Sequence, residues 1–281
     1  MPIQCSEIYP EISGAFSFTV TKILTEVRSP FQKIQVVESS HLGRVLLIDD
    51  LIMLTERDEF IYHEMIAHVP LFTHPGPENI LIIGGGDGGS VRECLKHPPV
   101  KQIDLVDIDE MVTRACLKYL PAVAGRIFSE KVRCRFEDGV KLVQETTDRY
   151  DLIIIDSTDP ISVGEGLFTR EFYRNCFNIL NADGILVAQS ETPAYMPETV
   201  AGISAKLKAV FPSVQFYQAH IPTYPSGHWL FAFASKKYDA LRDFREKAYR
   251  RFADPLRYYN AEIHRGAFAL PNFVKELIGE A

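Results

Sequence analysis

The chain has 281 residues and a formal net charge of −7, long enough for one large domain plus a smaller one, and its acidic balance argues against nucleic acid as a partner. No apolar run approaches the ~18 residues of a membrane span, and the opening Met1-Pro2-Ile3-Gln4 lacks the basic-then-apolar pattern of a secretory signal. Cys5, Cys94, Cys116, Cys134 and Cys176 form no C-x-x-C pair, so a cytoplasmic protein with reduced thiols is expected, with neither a disulfide framework nor a metal site.

Residues up to about 55 read as β structure. Residues 16–24 alternate apolar and polar, and 33–38 do so more loosely. Ser39-Ser40-His41-Leu42-Gly43 has the composition of a hairpin turn, and Asp49-Asp50 turns the chain again. A small antiparallel sheet is predicted. Thr55 followed by Asp58 is a capping signal, and 58–72 has helical spacing of apolar residues. Pro75-Gly76-Pro77 marks a boundary, which divides the chain into a β domain with a linking helix (1–75) and a second domain (76–281). From residue 79 strands alternate with helices: strands at 80–83, 103–107, 132–136, 152–156 and 185–188, helices at 91–96 and 111–120. That alternation predicts an α/β fold, a doubly wound, mainly parallel Rossmann-like sheet of the methyltransferase type. Residues 214–217 and 229–233 suit an antiparallel closing pair, and the charged stretch 242–251 a solvated helix.

The most informative stretch is Leu152-Ile153-Ile154-Ile155-Asp156-Ser157-Thr158-Asp159-Pro160. Four aliphatic residues in a row suit a strand buried on both faces. Ligands of open α/β sheets bind outside the carboxyl ends of the strands, which is where Asp156 and Asp159 fall. Paired carboxylates there favour a cationic substrate or a proton to be removed.

Gly84-Gly85-Gly86-Asp87-Gly88-Gly89 follows a buried strand and satisfies G-x-G-x-x-G, with Asp107 twenty residues beyond Asp87. The pattern holds an adenosine-type cofactor. A carboxylate inside the loop repels a pyrophosphate and attracts an amine or sulfonium, which points to an S-adenosyl cofactor instead of a dinucleotide. Asp138, with Gly139, follows another strand and is either an acceptor for adenine or an ordinary helix cap. Tyr62 is either a core aromatic or part of a site. His63 and His68 flank Glu64 at H-E-x-x-x-H spacing; residues five apart point about 140° apart on a helix and cannot share a metal. Ile221-Pro222-Thr223-Tyr224-Pro225-Ser226-Gly227-His228-Trp229 would give a rigid aromatic wall for an alkyl chain bearing ammonium groups, or simply a turn.

Taken together, these motifs resemble the spermidine synthase family of polyamine aminopropyltransferases. The resemblance rests on the glycine loop with Asp87, Val106-Asp107-Ile108-Asp109-Glu110, Glu137-Asp138-Gly139, Asp156-Ser157-Thr158-Asp159-Pro160 and 221–227, in that order, and runs from about residue 16 to the end. It implies transfer of an aminopropyl group from decarboxylated S-adenosylmethionine to putrescine, giving spermidine and methylthioadenosine, with no metal. It implies that Gly84, Gly86, Asp87, Gln32, Asp107, Asp138 and Gly139 hold the donor. Asp87 would take the donor's amino end with Gln32 beside it, and Asp107 would take the ribose where many members have glutamate. Asp156 would be the proton acceptor. Tyr62, Asp159, Tyr224 and Trp229 would line the putrescine channel, with Gln189 and Glu191 near the distal amine. Residues 161–165 depart from the Gly-Pro-Ala-Glu of many members. A homodimer or homotetramer joined through the N-terminal sheet is implied.

A primary amine has a reference pKa of ~10.4 and must lose its proton before it attacks. Asp87 would also disfavour intact S-adenosylmethionine: like charges ~4 Å apart repel by about 4 kcal/mol at an effective dielectric of ~20. The alternatives are a putrescine N-methyltransferase using the intact donor, an NAD-dependent dehydrogenase, and a non-catalytic amine-binding protein.

Overall fold

The apolar run ending at Asp156 is the centre of a seven-stranded sheet. The computed structural model describes residues 3–158 and 162–280; Asp159 and Pro160 lie outside the described residues.

Two small sheets come first. β1 (Ile3–Tyr9) and β2 (Gly14–Val20) pair antiparallel. β3 (Lys22–Arg28), β4 (Lys33–Ser39), β5 (Gly43–Ile48) and β6 (Leu51–Thr55) form an antiparallel meander. The alternating stretch 16–24 is therefore two strands in two sheets. The break is at Thr21, whose N–H and hydroxyl both donate to the Glu38 carbonyl (2.8 and 3.1 Å). Phe18 and Val20 then bury against Val37, Val45, Leu47 and Ile52 of the meander, which holds the hairpin down on it.

α1 (Glu59–Leu71) is buried along nearly its whole length. Asp58 occupies its N-cap position, yet its carboxylate makes no bond to the helix. It accepts instead from the Thr55 hydroxyl (2.6 Å) and from the N–H and hydroxyl of Thr223 (3.1 and 2.8 Å). Tertiary partners outcompete the local cap here, and the loop that carries Tyr224 is tied to the start of α1.

The main sheet is built from β7 (Asn79–Gly84), α2 (Gly89–Cys94), β8 (Gln102–Asp107), α3 (Glu110–Tyr119), α4 (Pro121–Ala124), β9 (Val132–Phe136), α5 (Gly139–Glu145), β10 (Tyr150–Asp156), α6 (Arg170–Ile179), β11 (Leu180–Gln189), α7 (Pro197–Lys208), β12 (Ser213–His220) and β13 (His228–Ser235). Its order is β12-β13-β11-β10-β7-β8-β9. Strands β11 to β9 are parallel, and β13 runs antiparallel to both its neighbours, β11 and β12. Successive strand residues face opposite sides. Leu152 and Ile154 join one core with Ile80, Ile82 and α1, while Ile153 and Ile155 join the other with Leu81, Ile83 and α6. Both faces are covered, so every position of the run must be apolar.

From β7 the chain first winds one way, to β8 and β9, then returns on the other side with β10 and β11. The switch point lies between the carboxyl ends of β7 and β10, where the crevice of such a sheet opens. The two strand ends nearly touch: Gly85 N–H donates to the Asp156 carbonyl at 2.7 Å. Gly84 has φ +80°, and a Cβ there would lie 2.1 Å from that carbonyl oxygen. No other residue type fits.

The stretch 242–251 is not a continuous helix. Only Glu246–Tyr249 (α8) makes a turn, followed later by α9 (Ala261–Gly266) and α10 (Asn272–Ile278). Arg245 donates its N–H to the Phe72 carbonyl (2.8 Å) and its guanidinium to the His74 carbonyl (2.9 Å). Tyr249 packs edge-on against Phe72 at 5.6 Å. These bonds to the end of α1 replace the helical ladder. Among the described residues, no helix is long and apolar enough to cross a membrane.

Candidate active site

Asp156 ends β10 almost fully buried, at 9% exposure. Its Oδ1 accepts from the Tyr62 hydroxyl (2.7 Å) and its Oδ2 from the Ser90 hydroxyl (2.6 Å). Tyr62 comes from α1 and Ser90 from the first turn of α2, so two helices aim neutral donors at one carboxylate. Burial, and then the charge of Asp87, raise its pKa above the ordinary carboxylate value. A carboxyl so placed is a better proton acceptor than one in water.

Asp87 sits in the glycine loop and accepts from Gly89 N–H at 2.7 Å. Its Oδ1 is also 3.2 Å from Nε2 of His63, whose Nδ1 lies 2.6 Å from Glu59. Burial opposes ionisation of Asp87, but the neighbouring His63 outweighs it and holds the pKa low. His63 moves the other way. Burial pushes it down, while Asp87 and then Glu59 raise it to about 10. The two carboxylates, Asp156 buried and Asp87 half-buried, thus stand apart: Asp87 is held as an anion, Asp156 is poised to take a proton. His63, Asp87 and Asp156 each offer one atom within 4.8 Å of the others, a set that could accept a cation. Both ring nitrogens of His63 face carboxylates already, which favours a cationic substrate over a metal ion at this spot.

Toward β8 the cleft carries the remaining acids. Asp107 ends that strand and accepts from the N–H groups of Gly86 (2.9 Å) and Asp109 (2.8 Å). Burial raises its pKa to about 6 despite those bonds. Gln32 lines the cleft, but its amide donates to Asp109 (3.0 Å), the N-cap of α3. Asp138 caps α5 through the N–H groups of Val140 (2.8 Å) and Lys141 (3.4 Å) and lines the cleft with Gly139. The helix-cap reading applies to it, and both of these bonds use the same oxygen, Oδ1.

On the other side of Asp156 an aromatic wall runs away from the loop. The Tyr62 ring lies 5.8 Å from Tyr224, and Tyr224 meets Trp229 edge-on at 4.8 Å. The Tyr224 hydroxyl donates to the Met53 carbonyl at 2.6 Å, fixing the wall to β6. Gln189 lines the same end and accepts from Glu191 N–H at 3.1 Å. Ser157 Oγ and Trp229 Nε1 line the cleft, are buried, and have no hydrogen-bond partner among the described residues.

Four contributors were not singled out from the sequence as site residues. His63 was weighed only as a metal ligand. Ser90 carries no signal beyond standing just after the glycine loop. Asp58 reads as a cap. Glu7, on β1, is 5% exposed, accepts from Ile52 N–H (2.9 Å) and lines the cleft; only the folding of the hairpin onto the meander brings it there.

A Rossmann-type crevice with a glycine loop, acidic strand ends, an anionic centre and an aromatic channel defines a transferase that works on an adenosyl donor. The chain belongs to the spermine/spermidine synthase family. The spermine/spermidine synthase domain model matches residues 59–245, and the spermidine synthase tetramerisation domain model matches 5–56. Polyamine aminopropyltransferases of Clostridium perfringens and Lachnoclostridium phytofermentans are 51% and 48% identical over 266 residues, covering 94% of this chain and 93% and 94% of theirs. A solved spermidine synthase in complex with the transition-state analogue AdoDATO superposes with a TM-score of 0.98 at 39% identity. That of Thermotoga maritima gives 0.96 at 39%; both matches cover 100% of this chain and 97% of the solved one. The expected fold class, family and oligomeric character agree with these matches.

Proposed function

We propose that the enzyme transfers an aminopropyl group from decarboxylated S-adenosylmethionine to putrescine, releasing spermidine and 5'-methylthioadenosine, with Asp156 as the proton acceptor. The observation that carries this reading is the pairing at the switch point. A half-buried carboxylate is held as an anion by an adjacent histidine, and a buried one is bonded only by neutral hydroxyls.

The residues divide the work. Asp107 and Asp138 are placed to accept from ribose and adenine, and the glycine loop lets the backbone come close to the nucleoside. Asp87 faces the cationic end of the donor. Putrescine lies along Tyr62, Tyr224 and Trp229, where ring faces attract ammonium groups, with Gln189 and Glu7 at the far end. Asp159 belongs to the same reading. As nitrogen attacks the methylene next to the sulfonium, Asp156 takes the ammonium proton, the C–S bond breaks, and the electron pair leaves with a neutral thioether. No acid is needed for the leaving group. The protein supplies deprotonation, alignment and exclusion of water. The active form is a homodimer or homotetramer assembled through residues 5–56, in the cytoplasm.

Product analysis by mass spectrometry tests the reading. Purified protein is incubated with putrescine and either the decarboxylated or the intact donor. Spermidine with methylthioadenosine, formed only from the decarboxylated donor, is the expected result. N-methylputrescine from the intact donor would replace it with the methyltransferase reading.

A further inference from the structure

Behind the site, α1 and α2 share a chain of charges, buried at Glu59 and His63 and half-buried at Arg92, that ends on the half-buried Asp87. Arg92 Nη1 and Nη2 donate to the two oxygens of Glu59 at 3.0 and 2.8 Å. Glu59 Oε2 is 2.6 Å from His63 Nδ1, and His63 Nε2 is 3.2 Å from Asp87 Oδ1. The side chains of His63 and Glu59 are 3% and 8% exposed, so water does little to screen them. The ring is tightly held: a Cβ on Gly89 would lie 2.3 Å from it.

The protonation state follows from geometry. A neutral imidazole has one N–H, so one of its nitrogens would present a lone pair to a carboxylate oxygen. Nδ1 of His63 is hydrogen-bonded to Glu59 and Nε2 stands 3.2 Å from Asp87 in an ion-pair contact, so only the imidazolium avoids setting a lone pair against a carboxylate. Along the chain the signs alternate: Arg92 positive, Glu59 negative, His63 positive, Asp87 negative. Asp156, from β10, also acts on the ring, and Arg92 is shared with Glu93, whose Oε1 accepts from Arg92 Nε at 2.8 Å and which also pairs with Lys96. The bonds of Asp156 itself come from Tyr62 and Ser90, neither of them a cation.

We infer that Glu59 and Arg92 are positioning residues of the transfer: by holding His63 as the cationic partner of Asp87, they reserve Asp156, and not Asp87, for the amine's proton. Neither residue touches the cleft. Two like carboxylates in one site tend to share a proton. A cation fixed beside one of them breaks that symmetry and separates their roles. The inference rests on the aminopropyl-transfer reading above.

Two measurements test it. In the wild-type protein labelled in its histidine rings, nitrogen NMR reads the protonation of His63 directly, with the signal assigned by comparison with His63→Gln. Both ring nitrogens protonated at pH 8 is the expected result; a neutral ring at pH 8 overturns the inference. The second compares Glu59→Gln, Arg92→Gln and Arg92→Lys by the pH profile of kcat/KM for putrescine. Loss of the relay leaves two carboxylates without their cation, so the acid limb moves up by about one unit, a loss that reaches roughly tenfold at pH values below the wild-type limb and shrinks as pH rises above it. Arg92→Lys keeps the charge and should lie closer to wild type than Arg92→Gln. A loss equal at every pH, with the limb unmoved and Lys no better than Gln, would mean a merely structural role and would sink the idea. Should Glu59→Gln fail to fold, the Arg92 pair and the wild-type spectrum still decide. Absence of any aminopropyl transfer by the wild-type enzyme would overturn the functional reading instead, and the spectrum alone would then judge the relay.

Discussion

Replacing Asp87 by asparagine tests how the site distinguishes the decarboxylated donor from the intact one. In the proposed binding mode the intact donor carries an extra carboxylate at the end that faces Asp87. At ~4 Å and an effective dielectric of ~20 the repulsion from Asp87 alone is about 4 kcal/mol. The structure adds a counter-charge, since Nε2 of His63 stands 3.2 Å behind the Asp87 oxygen. A cation at ~7 Å from the incoming carboxylate returns about 2.4 kcal/mol under the same dielectric. The net penalty is then about 1.6 kcal/mol, roughly 15-fold in affinity where the unshielded carboxylate would give about a thousandfold. Asp87→Asn removes the repulsive charge and with it the carboxylate that raises His63 most, so the intact donor gains about 1.6 kcal/mol with a neutral ring and about 4 kcal/mol where Glu59 alone keeps the imidazolium. Inhibition constants of intact S-adenosylmethionine against the decarboxylated donor, measured for both proteins, read this directly. An intact donor that binds Asp87→Asn no better than wild type would refute the charge argument and assign the discrimination to shape.

Three further outcomes are expected. Asp156→Asn lowers kcat by about 10²- to 10⁴-fold, the usual span for a lost general base, with donor affinity largely kept; an equal loss of donor affinity in a binding titration would make Asp156 a binding group. Tyr224→Ala raises the KM for putrescine more than it lowers kcat, because it removes one ring of the channel, and an unchanged KM would reduce 221–229 to a turn. The KM of the donor rises as pH falls through about 6: burial has raised the Asp107 carboxyl to that value, so below it the group is protonated and loses capacity to accept from ribose. That limb should vanish in Asp107→Asn, and its persistence there would point to another group. The same raised pKa has a stability sign. The proton is bound more tightly in the folded protein, so Asp107 favours the fold below its unfolded pKa, and that contribution is lost as pH rises through about 6.

Much of the fold was legible because it rests on local rules. Four aliphatic residues before Asp156 could only be a strand buried on both sides, and the split of that run between two cores bears this out. The glycine loop was legible for the same kind of reason: Gly84 needs a positive φ and has no room for a side chain. Where local signals met stronger distant partners they misled. Residues 16–24 alternate like one strand but divide at Thr21, and 242–251 has helical composition but is drawn out along the end of α1. Asp58 has the identity of a cap and serves instead to hold the loop before Tyr224.

The sequence alone determined the architecture, the place of Asp87, Asp107, Asp138 and Asp156 at strand ends, and the chemical class they imply, because strand periodicity and turn stereochemistry depend on neighbours in the chain. Tertiary structure decided what those acids do. Charge acts through space: Glu59, His63 and Arg92 come from two helices and reach Asp87 across a third segment, while Tyr62 and Ser90 converge on Asp156 from positions 94 and 66 residues away. Which carboxylate stays ionised and which receives a proton is a property of those meetings, and no spacing along the chain encodes it.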